Sequence, residues 1–226
     1  MRILGLTDLH SGGKFPVEDL QRLIQKESIE MLIIAGDLTT WGKTSQVQTV
    51  LEEIGKIDIP IFYVPGNMDS KNSGDIELPN IFPLHGRMKK YSDIYFLGLG
   101  ASNKTPFQTP FTLSEKKLAE LLEQAFTQVP KGKPLFVVSH APPYGSEADK
   151  LHNGEHVGSS AVKEFVERTA PLVILCGHIH ESKSISEINS TLCVNPGPAR
   201  HRNAAIIEIT KNKEKKFVVT SELTLF

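Results

Sequence analysis

Seven residues of this chain have side chains suited to holding a metal ion, and they recur at similar places. Asp8 and His10 lie in "TDLH", Asp37 in "AGDL", Asn67 in "PGNM", His140 in "VVSHA", and His178 and His180 in "CGHIH". Two carboxylates, one amide oxygen and four imidazoles, with no thiolate among them, suit hard and borderline divalent ions: Mn, Fe, Zn, Co, Ni or Mg. Seven ligands are too many for one such ion and suit two. A carboxylate bridging the pair would hold the ions about 3.5–4 Å apart, the spacing of hydrolases that displace at phosphorus. A water between them would lose a proton near neutral pH and become the nucleophile. Each piece also has a plain structural reading: a loop Asp caps a helix, Gly-Asp after a strand makes a turn, and a loop His bonds locally. It is their joint recurrence that points to chemistry.

The elements around these residues account for the recurrence. "RILGLT", "MLIIAG", "IPIFYV", "PLFVVS" and "PLVILC" are short apolar runs that read as buried strands. Between them the spacing predicts helices near Phe15–Glu27, with Val17, Leu20 and Ile24 on one face, and near Lys43–Lys56, with Val47, Val50, Leu51 and Ile54. A third helix, Ser114–Gln128, takes Ser114 as N-cap and turns Leu118, Leu121, Leu122 and Ala125 inward, and "SSAVKEFVERT" is a fourth. Such βαβ alternation implies parallel strands covered by helices. Ligands of open parallel sheets bind beyond the carboxyl ends of the strands, so all five strands deliver an Asp, Asn or His to one edge. "IFPLHGRMKKYSDIYFLGLG" reads as a hairpin with its turn near Gly86–Asp93. The runs "SKSISEI", "STLCVN", "AAIIEIT" and "KFVVTSEL" read as an antiparallel meander with a turn at Asn189–Ser190. The expectation is an α/β fold, two pseudo-symmetric halves whose sheets stack face to face with helices outside, in one domain over residues 1–226.

The series D-x-H, G-D, G-N-x-D, a lone H and G-H-x-H, spanning residues 8 to 180, resembles the calcineurin-like metallophosphoesterase family and its small prokaryotic phosphodiesterases in particular. The resemblance implies a four-layer α/β/β/α sandwich of two mixed sheets and a dinuclear site for two divalent ions (Mn, Fe, Zn, Ni or Co). By the family pattern Asp8, His10, Asp37 and His180 bind one ion, and Asp37, Asn67, His140 and His178 the other, with Asp37 as the bridge. Asp37, Asn67 and His180 are then the catalytic residues, His180 and Asn67 positioning the phosphate oxygens.

One departure stands out. The family's third motif is G-N-H-D or G-N-H-E, whose histidine is assigned as acid for the leaving alkoxide. Here that position is Met68, followed by an Asp69 without an imidazole beside it. A thioether cannot donate a proton, and acid catalysis is worth roughly 10²–10⁴ in rate. Three readings fit. The enzyme works on phosphodiesters, which demand less of an acid. Or another histidine supplies the proton, His156 first and His152 next among the four non-ligands, which include His85 and His201. Or the protein is a non-catalytic metal-binding scaffold, against which stands the intact ligand set. A phosphomonoesterase or protein phosphatase is the remaining enzymatic alternative. Met68 and His156 are candidate substrate contacts beside Asn67. The loops "ASNKTPFQTPF" and "APPYGSEADKLHNGEHVGSS" frame a cleft in this reading, with Phe107, Phe111 and Tyr144 either stacking on a base or packing the loops, and Asn195, Arg200 and His201 near the rim.

Composition narrows the partners. Of 226 residues, 39% are hydrophobic and 23% charged, as in globular domains, and the net charge of −1 argues against strong general nucleic-acid binding or an electrostatic membrane partner. Cys176 and Cys193 sit in strand-like runs and read as reduced core thiols. The N-terminus turns polar by Thr7, too early for a secretory segment, and no apolar run nears the ~20 residues of a membrane span. The reading is a cytoplasmic phosphoesterase with a phosphate-ester substrate, able to self-associate through a C-terminal strand edge.

Overall fold

The computed structural model describes residues 1–12 and 15–226. Its strands are β1 (Arg2–Leu6), β2 (Met31–Ala35), β3 (Ile61–Val64), β4 (Ile81–Pro83), β5 (Arg87–Tyr91), β6 (Ile94–Leu99), β7 (Leu135–Ser139), β8 (Val173–Leu175), β9 (Ser184–Ile188), β10 (Thr191–Asn195), β11 (Asn203–Lys211) and β12 (Phe217–Leu225). Its α-helices are α1 (Val17–Lys26), α2 (Thr44–Ile54), α3 (Glu115–Phe126) and α4 (Ser160–Thr169). They form two mixed sheets of six strands, ordered β12-β11-β1-β2-β3-β4 and β5-β6-β7-β8-β10-β9.

Three apolar layers set the α/β/β/α stacking. Leu4, Leu6, Leu32 and Ile34 face outward from the first sheet onto Leu20 and Ile24 of α1 and Val47 and Leu51 of α2. The alternate residues of the same strands, Ile3, Met31 and Ile33, face inward and meet Phe96, Phe136, Val138 and Leu175 of the second sheet. On its far side Leu97, Val137 and Ile174 pack on Leu118 and Leu122 of α3 and Val162 and Phe165 of α4. Strands covered on both faces must be apolar throughout, which is why these runs do not alternate. Each fully buried Leu, Ile or Phe contributes roughly 1.5–3 kcal/mol.

Local signals set the helix ends. Ser114 Oγ accepts from Lys117 N at 3.2 Å and Ser159 Oγ from Val162 N at 3.2 Å, so α3 and α4 start one residue after their caps. The first helix begins at Val17 rather than Phe15; Pro16 stands at its N-cap, and Phe15 is buried beneath the helix rather than in it. Gly13 and Lys14 of the preceding loop lie outside the described residues.

Two sequence expectations are corrected. "IFP" is not a hairpin arm: β4 pairs in parallel with β3 in the first sheet, and the hairpin is β5–β6, closed at Ser92–Asp93. Most of the expected turn is therefore strand. Nor do the last four strands form one meander. β9–β10, turned at Asn189–Ser190 as expected, joins the second sheet with β10 parallel to β8, while β11–β12 returns to the first with β11 antiparallel to β1. Among the described residues no helix is long and apolar enough to cross a membrane, and both cysteines are buried and free.

Candidate metal centre

Beyond the carboxyl ends of β1, β2, β3, β7 and β8 the backbone stays tied together. Asp8 N donates to Gly36 O at 3.0 Å, His10 N to Asp37 O at 2.9 Å and Gly177 N to His140 O at 3.1 Å. Strand pairing thus continues into the loops that carry the candidate ligands. Glycines there have no room for a side chain, Gly36 and Gly177 among them. A Cβ on Gly36, whose φ is +94°, would collide with the His140 ring, and one on Gly177 would collide with Thr7 Oγ1. Asp8, His10, Asp37 and His178 themselves sit at φ between +44° and +69°. Left-handed backbone costs a non-glycine residue about 1–3 kcal/mol and clusters where function over-determines it.

The side chains converge. His180 Nε2 lies 3.1 Å from Asp8 Oδ1 and 3.1 Å from His10 Nε2. Asp37 points one oxygen each way: Oδ2 is 3.6 Å from His10 Nε2 and Oδ1 3.4 Å from His140 Nε2. His140 Nε2 also meets Asn67 Oδ1 at 2.9 Å, and the His178 ring stands 5.1 Å from that of His140. The trios Asp8–His10–His180 and Asp8–Asp37–His140 each keep their ligand atoms within 4.8 Å of one another. All seven sequence-derived candidates therefore meet at one place.

A surrounding layer orients them. His140 Nδ1 donates to Ala35 O at 2.8 Å, which leaves Nε2 free to face the cluster, and His10 Nδ1 meets Thr40 Oγ1 at 3.0 Å. Backing of this kind is what a metal-binding imidazole needs. Asp8 Oδ2 accepts from Thr7 Oγ1 at 2.8 Å and His178 N at 3.0 Å, and Asp37 Oδ1 from Met68 N at 2.8 Å. Asp69, far from idle without an imidazole, is fully buried and accepts from Gly66 N (2.9 Å), Leu38 N (3.0 Å), Thr39 N (2.8 Å) and Thr39 Oγ1 (2.7 Å). It staples the Asp37 loop to the Asn67 loop.

The charges are unbalanced toward the negative. Burial alone would raise the Asp8 carboxyl, but the hydrogen bond from His180 and the charge of His140 hold it well below the usual carboxylate range. Burial would lower His140, yet Asp37 and Asp8 outweigh it and raise its pKa to about 9. His178 goes the other way, to about 4, through burial and repulsion from His140. Burial, then the neighbouring Asp37, pushes Asp69 up to about 6. A buried pair of carboxylates that retains a proton on a nearby imidazole is a place where a cation is welcome. Donor types, convergence and backing all fit divalent metal binding.

A cleft of about 610 Å³ opens onto the cluster. Its floor includes His10, Asp37, Asn67, His178 and His180, and its walls include Met68, Trp41, Phe107, Lys104 and Arg200. His156 is not among the lining residues; its Nδ1 sits 2.6 Å from Asp149 Oδ1, and Leu151 and Val157 reach the cleft instead. His152 is exposed beside Glu181, His201 receives Arg200 Nε at 3.2 Å, and burial lowers His85 to about 4, its Nδ1 accepting from Gly100 N at 2.8 Å. Asn195 is buried, its amide spent on Ile179 O (3.0 Å) and Gly197 N (2.9 Å). Phe111 is buried against His85, and Tyr144 is exposed facing His156. Trp41 and Lys104 escaped the sequence reading; the signal for Trp41 was the chain's single tryptophan in a polar, Gly-flanked loop four residues after Asp37.

Known proteins resemble this chain in sequence and in fold. The sequence model for the calcineurin-like phosphoesterases matches residues 1–182. An uncharacterized protein of Methanocaldococcus jannaschii is 39% identical over 204 residues, 88% of each chain. A Xenorhabdus bovienii protein named as a probable cyclic nucleotide phosphodiesterase is 22% identical over 215 residues, 87% of this chain and 85% of that one. In fold alone, a crystal structure from Thermus thermophilus matches with a TM-score of 0.70 at 15% identity over 97% of both chains. A dimetal phosphatase from Danio rerio matches with a TM-score of 0.60 at 12% identity over 91% of this chain and 94% of that one. With four-fifths of its length under the family model and a well-covered relative at 39% identity, the chain belongs to the calcineurin-like phosphoesterases.

Proposed function

We propose that this protein is a metal-dependent phosphodiesterase. The observation that carries the reading is the meeting of two carboxylates, one amide and four imidazoles where a cleft opens, five of them lining its floor and Asp8 and His140 buried behind it. Asp8, His10, Asp37 and His180 would hold one divalent ion and Asp37, Asn67, His140 and His178 a second, and the two oxygens of Asp37, which face different imidazoles, would serve both groups. When bound, such a pair supplies an acidified water as nucleophile and neutralises charge that develops on the phosphoryl oxygens. Asn67 and His180 orient the phosphate from the cleft floor. Met68 N–H fixes Asp37 by its bond to Oδ1, while the Met68 side chain offers the leaving group an apolar wall and no proton. Diesters, with one negative charge and a second esterified group to lie against that wall, suit it better than monoesters do. The phosphodiesterase names carried by relatives at 22% and 23% identity agree with the reading.

The test is hydrolysis of bis(4-nitrophenyl) phosphate beside 4-nitrophenyl phosphate, with Mn²⁺ and with chelator. Metal-dependent turnover with the diester faster is expected. Asp37→Asn and His178→Ala should each lose at least about 10³-fold in kcat/KM with an unchanged circular-dichroism spectrum. Full activity in either variant overturns the dinuclear assignment, and no turnover of either ester by metal-loaded protein turns the reading to a scaffold.

A further inference from the structure

We propose that Trp41 and Phe107 form a specificity platform that grips a flat aromatic ring, of the kind a nucleotide carries, on the ester bound at the candidate metal centre; this rests on the phosphodiesterase reading. Both residues line the cleft of the metal cluster, and both leave it uncovered, Trp41 at 57% and Phe107 at 78% exposure. Large apolar side chains exposed together beside a polar floor mark a place where a ligand supplies the missing cover.

The backbone behind Trp41 argues that its placement is built. Trp41 adopts φ 57°, a left-handed conformation that is an outlier for so bulky a residue. It is clamped from both sides. Thr40 Oγ1 bonds His10 Nδ1 at 3.0 Å, and Gly42 pairs with Asp69 in a parallel bridge. A Cβ on Gly42 would collide with Thr39 Oγ1, the hydroxyl that Asp69 holds. The strained residue is thus spliced between a candidate ligand and the Asp69 staple, with its indole left in the cleft. Phe107 comes from the other frame. Its loop is pinned at one end by Asn103 Nδ2, which donates to Gly158 O at 3.1 Å, and at the other by Phe111 N, which donates to Asn67 O at 3.0 Å. Two loops, each anchored on residues 67–69 as well as elsewhere, therefore bring a ring each to one cleft.

The ligand chemistry follows. Stacking on an indole or phenyl face suits any flat heterocycle, and base–aromatic stacking is worth about 5- to 150-fold in binding per base. Lys104 and Arg200 in the same walls supply the positive charge that suits phosphate oxygens. An acyl chain would gain nothing from a cationic rim and little from exposed π faces.

Because Trp41 is the only tryptophan of the chain, its emission reports on this site and nowhere else. Protein loaded with diamagnetic Zn²⁺ is titrated with AMP, ribose 5-phosphate and glycerophosphocholine. Saturable change in Trp41 emission with AMP alone is expected, with the AMP Kd raised about tenfold in Phe107→Ser. Equal responses to ribose 5-phosphate, a response to glycerophosphocholine alone, or no response to any probe overturns the platform. The same preparations assayed on bis(4-nitrophenyl) phosphate with Mn²⁺ separate the two failures. Hydrolysis without an AMP response removes the platform and leaves the phosphodiesterase. An AMP response without hydrolysis keeps the ring site and removes the reaction.

Discussion

The two halves of the cluster are braced by one device with different partners. In the first half, buried Asp69 gathers three backbone N–H groups and a hydroxyl and so joins the loops after β2 and β3. In the second, buried Asp149 gathers Gly145 N at 3.0 Å, Gly158 N at 2.8 Å and the His156 ring at 2.6 Å, and so folds the long loop after β7. The first hub lies under the cluster and takes only main-chain and hydroxyl donors. The second lies beside it and ends in a half-exposed imidazole. The halves differ in charge as well: the first contributes Asp8 and Asp37, the second only imidazoles. A carboxylate hub is a general way to hold a polar loop, because one group accepts several main-chain donors that burial would otherwise strand. Where it sits decides whether it serves the metal or the cleft wall.

Breaking the hubs should separate these roles. Asp69→Ala strands three buried N–H groups and should cost on the order of 3–5 kcal/mol of stability in urea unfolding, with activity falling as the Asp37 and Asn67 loops part. Asp149→Ala strands two N–H groups at a more open site and should cost about 2 kcal/mol, with the metal-dependent rate falling less than in Asp69→Ala. Equal losses in both variants would erase the distinction between hubs.

The charge difference can be sharpened by proton counting. With its pKa raised to about 9, His140 carries a proton at neutral pH, and metal binding at its Nε2 must displace it. Since deprotonation favours the bound state, Mn²⁺ affinity should rise with pH by about tenfold per unit, levelling near pH 9. Calorimetry in buffers of different ionisation enthalpy should find about one proton released per protein on filling the His140 site. Release of none would place His140 outside the ligand set. The smallest expected effect is Met68→His, which restores a proton donor beside Asp69 and should raise 4-nitrophenyl phosphate hydrolysis by about tenfold, at the low end of acid catalysis. No gain would mean that the ring cannot reach the leaving oxygen while the Thr39 and backbone donors occupy Asp69.

The cluster was legible because its residues follow apolar runs, and a buried parallel strand must be apolar to its end and then release a polar loop at one sheet edge. The corrections share a cause. "IFP", at three residues, is too short to carry a period, and its partner β3 was identifiable only once the sheet existed. The late strands pair locally as hairpins, but which sheet each hairpin joins depends on β1 and β8, far away in sequence. Asn195 ends β10 much as the candidate ligands lie just past their strands, and only packing shows its amide consumed by main-chain partners.

From residue types and spacing the chain determined its layered α/β class and the seven polar side chains beyond its strand ends, because periodicity and side-chain chemistry are local properties; the missing imidazole at Met68 showed only against the family motif it resembles. Only the tertiary structure decided that Asp69 braces two loops, that His156 is turned to Asp149 and away from the cleft lining, and that Trp41 and Phe107 share one cleft. Those outcomes depend on which groups meet across long chain separations, and that is settled when two sheets close on each other and each buried polar atom must find a partner.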